Sequence, residues 1–194
     1  MSVIERVLRR DEPELTIEPM RRRDLRQGVM AIESASHPRA WSRTVFESEI
    51  DGMRNGSRHY VVLRMRRTIV GYAGLWFTPD EAHVTNVAVA PEHRRGGIAT
   101  RLMLALAAEA RGRGMAAWTL EVRVSGTGAQ ELYRRFGFAP AGVRTRYYEN
   151  TEDALVMWCH EIQSDEYAAR LRRIDDQLSY PRPLGSQLDG TEAP

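Results

Sequence analysis

Apolar and polar residues alternate along "LTIEPM", Leu15 to Met20, and that period of two predicts a strand. The next run, "RRDLRQGVMAIESAS", carries its apolar residues at helical spacing until "HPRAW" breaks it at Pro38. A second helix is expected over "SRTVFESEIDGM", with Ser42 placed to cap its first turn. "RHYVVLRMR" and "TIVGYAGLWF" read as a β-hairpin, and "AHVTNVAVA" continues the meander. After "RRGGIA" comes a long helix from about Thr100 to Arg113. "AAWTLEVRV" is then a strand, "AQELYRRFG" a short helix, and "GVRTRYYEN" with "DALVMWCHE" a closing strand pair. The order β-α-α-β-β-β-α-β-α-β-β predicts an α/β domain around a mixed sheet.

The pattern changes after Glu161. An N-terminal tail (1–13), a main domain (14–161) and a C-terminal extension (162–194) are expected. Within the extension, "SDEYAARLRRIDDQL" sets Tyr167, Leu171, Ile174 and Leu178 on one face of an amphipathic helix over about 165–178. An isolated helix of that length is marginal in water, so it should pack on a partner surface, its own domain by default. "SYPRPLGSQLDGTEAP" is rich in Pro, Gly and polar residues and is expected to be disordered.

Composition narrows the classes. The 194 residues suit one domain, and 28 basic against 26 acidic residues leave a net charge of only +2, which argues against a nucleic-acid binder driven by bulk charge. Every basic residue is Arg. The single Cys159 excludes an intramolecular disulfide framework and a Cys-based zinc site. His37, His59, His83, His93 and His160 show no metal-ligand spacing, so no metal is expected. No apolar run approaches the ~18 residues of a membrane span, and "MSVIERVLRRDEPE" is too acidic and interrupted for a signal peptide. A cytoplasmic protein, monomeric or weakly dimeric, is the expectation.

The chemistry starts at "RRGGIA", Arg94 to Ala99, between a strand and a helix. Glycines there expose backbone N–H groups at a helix N-terminus, where the donors and the helix dipole suit a phosphate or pyrophosphate. Neither G-x-x-x-x-G-K-[ST] nor G-x-G-x-x-G is present. A short glycine turn alone is as readily explained without a ligand. Further on, Glu121 interrupts an otherwise apolar strand, where a carboxylate is costly unless solvated or paired. Its neighbours Leu120 and Val122 should face the other side of the sheet. A nearby Arg, Arg123 for instance, offers a purely structural partner.

Arg94-Arg95-Gly96-Gly97-Ile98-Ala99 resembles the [Q/R]-x-x-G-x-[G/A] pattern of the GNAT acetyltransferase superfamily. "HPRAWSRTVFESEI", "NVAVAPEHRRGGIATRLM", "LEVRVSGTGAQELYRRFGF" and "RYYENTEDALVMW" resemble its RimI-type branch, the protein N-terminal acetyltransferases, in order from about Leu15 to Glu161. The glycine motif is specific only to the superfamily; "LEVR", "LYRRFGF" and "RYYENTEDA" together are more specific. The resemblance implies the GNAT fold, a central, mostly antiparallel mixed sheet flanked by helices, and acetyl-CoA as ligand.

By that resemblance the pyrophosphate sits on the backbone from Arg94 through Arg95, Gly96, Gly97, Ile98 and Ala99 to Thr100, and pantetheine lies along Val87, Ala88 and Val89. Glu121 matches the base that takes the amine's proton through water. Tyr133 matches the general acid for the departing thiolate, although a helix tyrosine packed beside Phe136 is the bland alternative. Tyr147 and Tyr148 match a pair at the peptide entrance, one touching substrate and the other packing, with His37, Pro38 and Arg39 on the opposite wall. Two positions depart from the pattern. His37 replaces an aromatic or apolar residue, and Gly126 replaces a cofactor-contacting Asn, for which Ser125 or Thr127 could substitute. The implied activity is transfer of acetyl to a protein α-amine, typically on a small-subunit ribosomal protein. A GNAT acting on lysine or a small amine, and a CoA-binding GNAT without turnover, are the competing readings. Truncation after Gln163 is expected to leave acetylation of short peptides largely intact.

Overall fold

The computed structural model describes residues 14–179; the expected N-terminal tail and the stretch expected to be disordered after Ser179 lie outside the described residues. β1 (Leu15–Pro19) leads into a helix in three pieces: α1 (Arg22–Asp24), a π-helical turn (Leu25–Val29) and α2 (Met30–Ser36). The break falls at Gly28, φ +155°, where an added Cβ would stand 3.1 Å from Cβ of Ile69. Only glycine adopts that backbone so close to a neighbouring strand. α3 (Arg43–Arg54) follows, capped as expected by Ser42, whose Oγ accepts from the Val45 N–H at 3.3 Å. The chain continues through β2 (Arg58–Met65), β3 (Thr68–Phe77), β4 (Glu81–Val89), α4 (Ile98–Gly112), β5 (Ala117–Arg123), α5 (Thr127–Arg135), β6 (Ala139–Tyr148), β7 (Glu152–Cys159) and α6 (Asp165–Ser179). Element type and order agree with the hydrophobic pattern throughout this range.

The strands form one seven-stranded sheet in the order β1-β2-β3-β4-β5-β7-β6, antiparallel except between β4 and β5. Its apolar residues divide by face. Leu63, Val70, Leu75, Val84, Leu120 and Met157 pack with Leu102, Met103 and Leu106 of α4 and with Phe136 and Phe138. On the opposite face Tyr60, Val62, Tyr72 and Ala88 pack with Leu25, Ile32 and Phe46.

The parallel ladder is short. Glu81–Val84 pair with Ala117–Leu120 and no further. The β3–β4 register jumps there, with Leu75 opposite Val84 and Gly74 opposite Asn86, so Thr85 is an extra residue, a bulge. Beyond it β4 pairs only with β3 as far as Val89, and β5 pairs only with β7 as far as Arg123. Among the described residues, the facing edges of β4 and β5 are without a strand partner over that stretch.

α6 belongs to the same core. Ser164 Oγ accepts from the Tyr167 N–H at 3.1 Å, and Gln163 Nε2 donates to the Arg111 and Met115 carbonyls at the end of α4. Tyr167 and Ile174 are 5% and 3% exposed, Leu171 packs on the core beside them, and Tyr167 meets Trp118 edge-on. Leu178 Cδ2 lies 2.9 Å from where a Cβ on Gly97 would stand. The face expected to pack does so on its own domain, and it reaches the glycine turn. Truncation after Gln163, expected to leave acetylation of short peptides largely intact, would uncover part of the core and remove Leu178 from the turn. Among the described residues no helix is long and apolar enough to cross a membrane. Ile174→Ala should cost about 2–5 kcal/mol, or roughly 4–20 °C in Tm for a domain of this size, as read by calorimetry.

Candidate active site

The glycine turn closes β4 into α4. Arg95 and Gly97 both have left-handed backbone, φ 65° and 78°, and Gly97 is the N-cap of α4 with no side chain capping the helix. The first N–H groups of α4, at Ile98, Ala99 and Thr100, are therefore left for another acceptor. Ile98 and Thr100 are buried beneath the turn, while Arg94, Arg95 and Gly96 are exposed above it. A Cβ on Gly96 would touch only the His93 carbonyl, at 3.5 Å. The Arg94 side chain turns away from this concavity. Its guanidinium donates to Val89 O, Ala35 O and Ser36 Oγ at 3.3–3.5 Å, tying the turn to the end of α2. Val87, Ala88 and Val89 lie on the part of β4 without a partner toward β5.

Glu121 is the first β5 residue beyond the parallel ladder. Leu120 and Val122 are buried on the other face, as the alternation predicts. The Glu121 side chain is only 8% exposed, and both its oxygens are engaged: Oε2 lies 3.0 Å from His83 Nε2 and Oε1 lies 3.0 Å from Arg144 Nη1. The hydrogen bond from His83 holds the carboxyl below its usual range, with the charges of His83 and Arg144 adding to it and burial opposing it. Arg123, the structural partner considered from the sequence, is occupied elsewhere, at 2.8 Å from both Glu149 and Glu152.

Tyr148 lies against the Glu121 backbone, with Tyr147 and Tyr133 near it in turn. Tyr148 donates to the Glu121 carbonyl at 3.2 Å and has Arg123 stacked on its ring at 4.1 Å. Tyr147 is 49% exposed, meets Tyr148 edge-on at 5.1 Å and carries Arg144 over its ring. One ring packs while the other faces outward, as expected. Tyr133 is buried and packs against Phe138 at 5.9 Å, in the same apolar cluster as Phe136. Burial pushes its phenol up to about 12, and it lies near enough to raise Tyr148 further.

The opposite wall hangs from a residue that sequence reasoning missed. Glu33 of α2 is 1% exposed and accepts from the Trp41 N–H at 2.7 Å and from the Tyr72 hydroxyl. His37 stands 3.5 Å from it, and Pro38 and Arg39 are exposed between these anchors. An acid on an otherwise apolar helical face, "MAIESA", was the available signal. His83 and Arg144 were also missed. They meet Glu121 only through strand pairing.

Gly126 is the N-cap of α5, and a Cβ there would stand 3.1 Å from the Arg123 carbonyl. Ser125, a possible stand-in for the absent Asn, commits its hydroxyl to Glu152 at 2.5 Å. Thr127 makes no such commitment. Among the described residues no three His, Cys, Asp or Glu side chains are grouped to hold a metal ion.

Residues 26–138 match the Acetyltransferase (GNAT) family. The chain is 34% identical over 131 residues to the ribosomal protein bS18-alanine N-acetyltransferase of Escherichia coli (strain K12), covering 65% of this chain and 84% of that protein. It is 38% identical over 112 residues to the N-alpha-acetyltransferase RimI of Mycobacterium tuberculosis (strain ATCC 25618 / H37Rv), covering 56% of this chain and 67% of that one. The fold superposes on the crystal structure of the Escherichia coli ribosomal-protein-S18-alanine N-acetyltransferase with a TM-score of 0.70 and 30% identity, over 79% of this chain and 97% of that one. The splayed parallel strand pair, the glycine turn and the family match over more than half the chain agree, and the chain belongs to the GNAT acetyltransferase family.

Proposed function

We propose that this acetyltransferase is an acetyl-CoA-dependent enzyme of the RimI type, which acetylates the α-amine of a protein, with a ribosomal protein of the bS18 kind as acceptor. The observation that carries the reading is Glu121, a carboxylate inside the sheet, beside the gap between β4 and β5 and flanked by Tyr147 and Tyr148. An acceptor of that kind is made in the cytoplasm, which is where the reading places the enzyme.

The residues present fit acetyl-CoA. Left-handed Arg95 and Gly97 with the uncapped start of α4 form a concavity of N–H donors suited to a pyrophosphate. The free edge of β4 at Val87, Ala88 and Val89 offers backbone groups to an extended amide-bearing chain such as pantetheine. When bound, acetyl-CoA supplies an activated acyl group as a thioester. Gly126 leaves the Asn contact of related sequences unfilled, with the Ser125 hydroxyl taken by Glu152 and Thr127 the hydroxyl next to it in the chain.

The protein's part is proton handling and orientation. An α-ammonium has a pKa of about 7.7–8.0, against about 10.4 for lysine, so it gives up its proton to a modest base. Glu121 receives that proton, directly or through one water. Tyr133, kept protonated by burial, has a hydroxyl with no protein partner among the described residues and can donate to the leaving sulfur. Tyr147 and the loop of His37, Pro38 and Arg39 bound the opening through which an extended N-terminus reaches Glu121.

Two outcomes test this. Gly96→Val meets no close neighbour, so it should leave Tm nearly unchanged while abolishing the acetyl-CoA-induced rise, which is about 2.7 kcal/mol for wild type at a hundredfold excess over Kd. Equal shifts in both proteins would remove the turn from the cofactor site. By mass spectrometry, a peptide with a free α-amine should react roughly 100-fold faster than one blocked at its N-terminus and carrying an internal lysine. Equal rates would favour a lysine or small-amine acetyltransferase.

A further inference from the structure

His83 is held in a way that nothing about its own strand requires. In the parallel ladder it stands opposite Thr119, and in the antiparallel ladder opposite Trp76. Its Nδ1 lies 3.2 Å from Thr119 Oγ1, and its Nε2 lies 3.0 Å from Glu121 Oε2. The ring is thus fixed at both nitrogens, between a hydroxyl that can accept or donate and the carboxylate at the mouth of the site. We propose that His83 is the final acceptor of the proton lost by the substrate's α-ammonium, with Glu121 carrying it between them. The inference rests on the Nα-acetyltransferase reading above.

The proton path balances. With Nδ1–H donating to Thr119 Oγ1, the Nε2 lone pair faces Glu121. An N–H bond of the ammonium breaks as an O–H bond forms on the Glu121 carboxylate, and the amine keeps the electron pair. That O–H then breaks as Nε2–H forms, leaving an imidazolium paired with a re-ionised carboxylate. One positive charge has moved from the acceptor to His83, which later releases its proton to solvent. Glu121 alone is a poor place to leave the proton, because Arg144 and, once it is an imidazolium donating from Nε2, His83 favour its ionised form. An imidazole, ordinarily near pKa 6.5, is far better matched to an α-amine near 8 than a carboxylate is.

The charged groups around this pair are Glu121 of β5 at 3.0 Å from the ring, Glu81 two residues back along β4, and Arg144 of β6 on the far oxygen of Glu121. From β2, Arg58 lies over Trp76 at 5.2 Å, its charge countered by Glu49 of α3 at 2.7 Å. Tyr148 of β6 adds a neutral phenol beside the Glu121 carbonyl.

The test is kcat/KM for a free-α-amine peptide from about pH 5.5 to about 9.5, for wild type and His83→Gln, with acetyl-CoA affinity measured by calorimetry and the His83 ring titrated by NMR. Wild type should lose activity on the acid side with the same midpoint as the His83 ring. His83→Gln keeps a hydrogen-bond donor toward Glu121, so it should bind acetyl-CoA normally, yet be slower by about tenfold or more and lack that acid limb. Arg144→Gln should move limb and ring titration together to higher pH. If His83→Gln keeps the wild-type rate and limb, His83 only positions Glu121 and the proposal falls while the Nα reading stands. A wild-type enzyme inactive on α-amine peptides at every pH overturns both.

Discussion

A backbone N–H or C=O in the middle of a sheet needs a partner, and β4 and β5 face one another without supplying it from Thr85 to Val89 and from Glu121 to Arg123. The cause is local. One extra residue at Thr85 shifts β4 against β3, and the parallel ladder to β5 ends at Val84 and Leu120. The chemistry collects at this discontinuity. His83 lies just inside the paired stretch, Glu121 just beyond it, and the contact between them spans its end. A carboxylate in the centre of a continuous sheet would be sealed from its substrate; here a gap in the backbone adjoins it. The strand edge that the ladder leaves free on β4 leads directly to the glycine turn and the uncapped start of α4. One register shift in the sheet thereby lines up a free strand edge, a concavity of backbone N–H donors and a carboxylate.

Three buried carboxylates show how the surrounding scaffold is held. Asp24 takes the Arg64 guanidinium at 2.5 Å and the Arg21 N–H at 2.8 Å, Glu121 takes His83 and Arg144, and Glu33 takes the Trp41 N–H and the Tyr72 hydroxyl. Removing Arg64 from beside buried Asp24 would cost about 3–5 kcal/mol, and at all three positions the contacts join separate segments of the chain. The consequence is largest at Glu33. Its carbonyl accepts the His37 N–H at 3.0 Å and its carboxylate the Trp41 N–H, so it holds both ends of the loop of His37, Pro38 and Arg39, while Arg94 fastens the preceding turn of α2 to the glycine turn. The loop of His37, Pro38 and Arg39 and the glycine turn are therefore parts of one hydrogen-bonded frame rather than independent loops.

Local periodicity carried most of the fold in the sequence. Period two and period three-and-a-half placed every strand and helix, the Ser42 cap, the inward Leu120 and Val122, and the apolar face of α6. The alternation expected of Tyr147 and Tyr148 is interrupted by left-handed Arg146 and a register shift after Arg144, and their rings meet at 5.1 Å. What periodicity lacks is register between strands distant in sequence. His83 and Glu121 are separated by the whole of α4, and their meeting depends on a four-residue parallel ladder and a bulge that no composition signals. Arg144 reaches Glu121 from a third strand, and Arg123, nearer in sequence, is drawn away by Glu149 and Glu152. The motifs located the carboxylate. Its partners needed the sheet.

The extension was legible as a helix but not as part of the site, and length explains the difference. α4 and α6 each have 15 residues, about 22 Å at a rise of about 1.5 Å per residue. Gln163 satisfies carbonyls at the C-terminal end of α4, and Tyr167 and Ile174 bind α6 to the shared core. An antiparallel helix of matched length must then end beside the start of α4, and Leu178 does so against Gly97. The apolar face that looked sufficient for packing alone thus sets where the last turn falls. One side of the glycine turn is closed by protein, and the side at Gly96 is left open to a ligand.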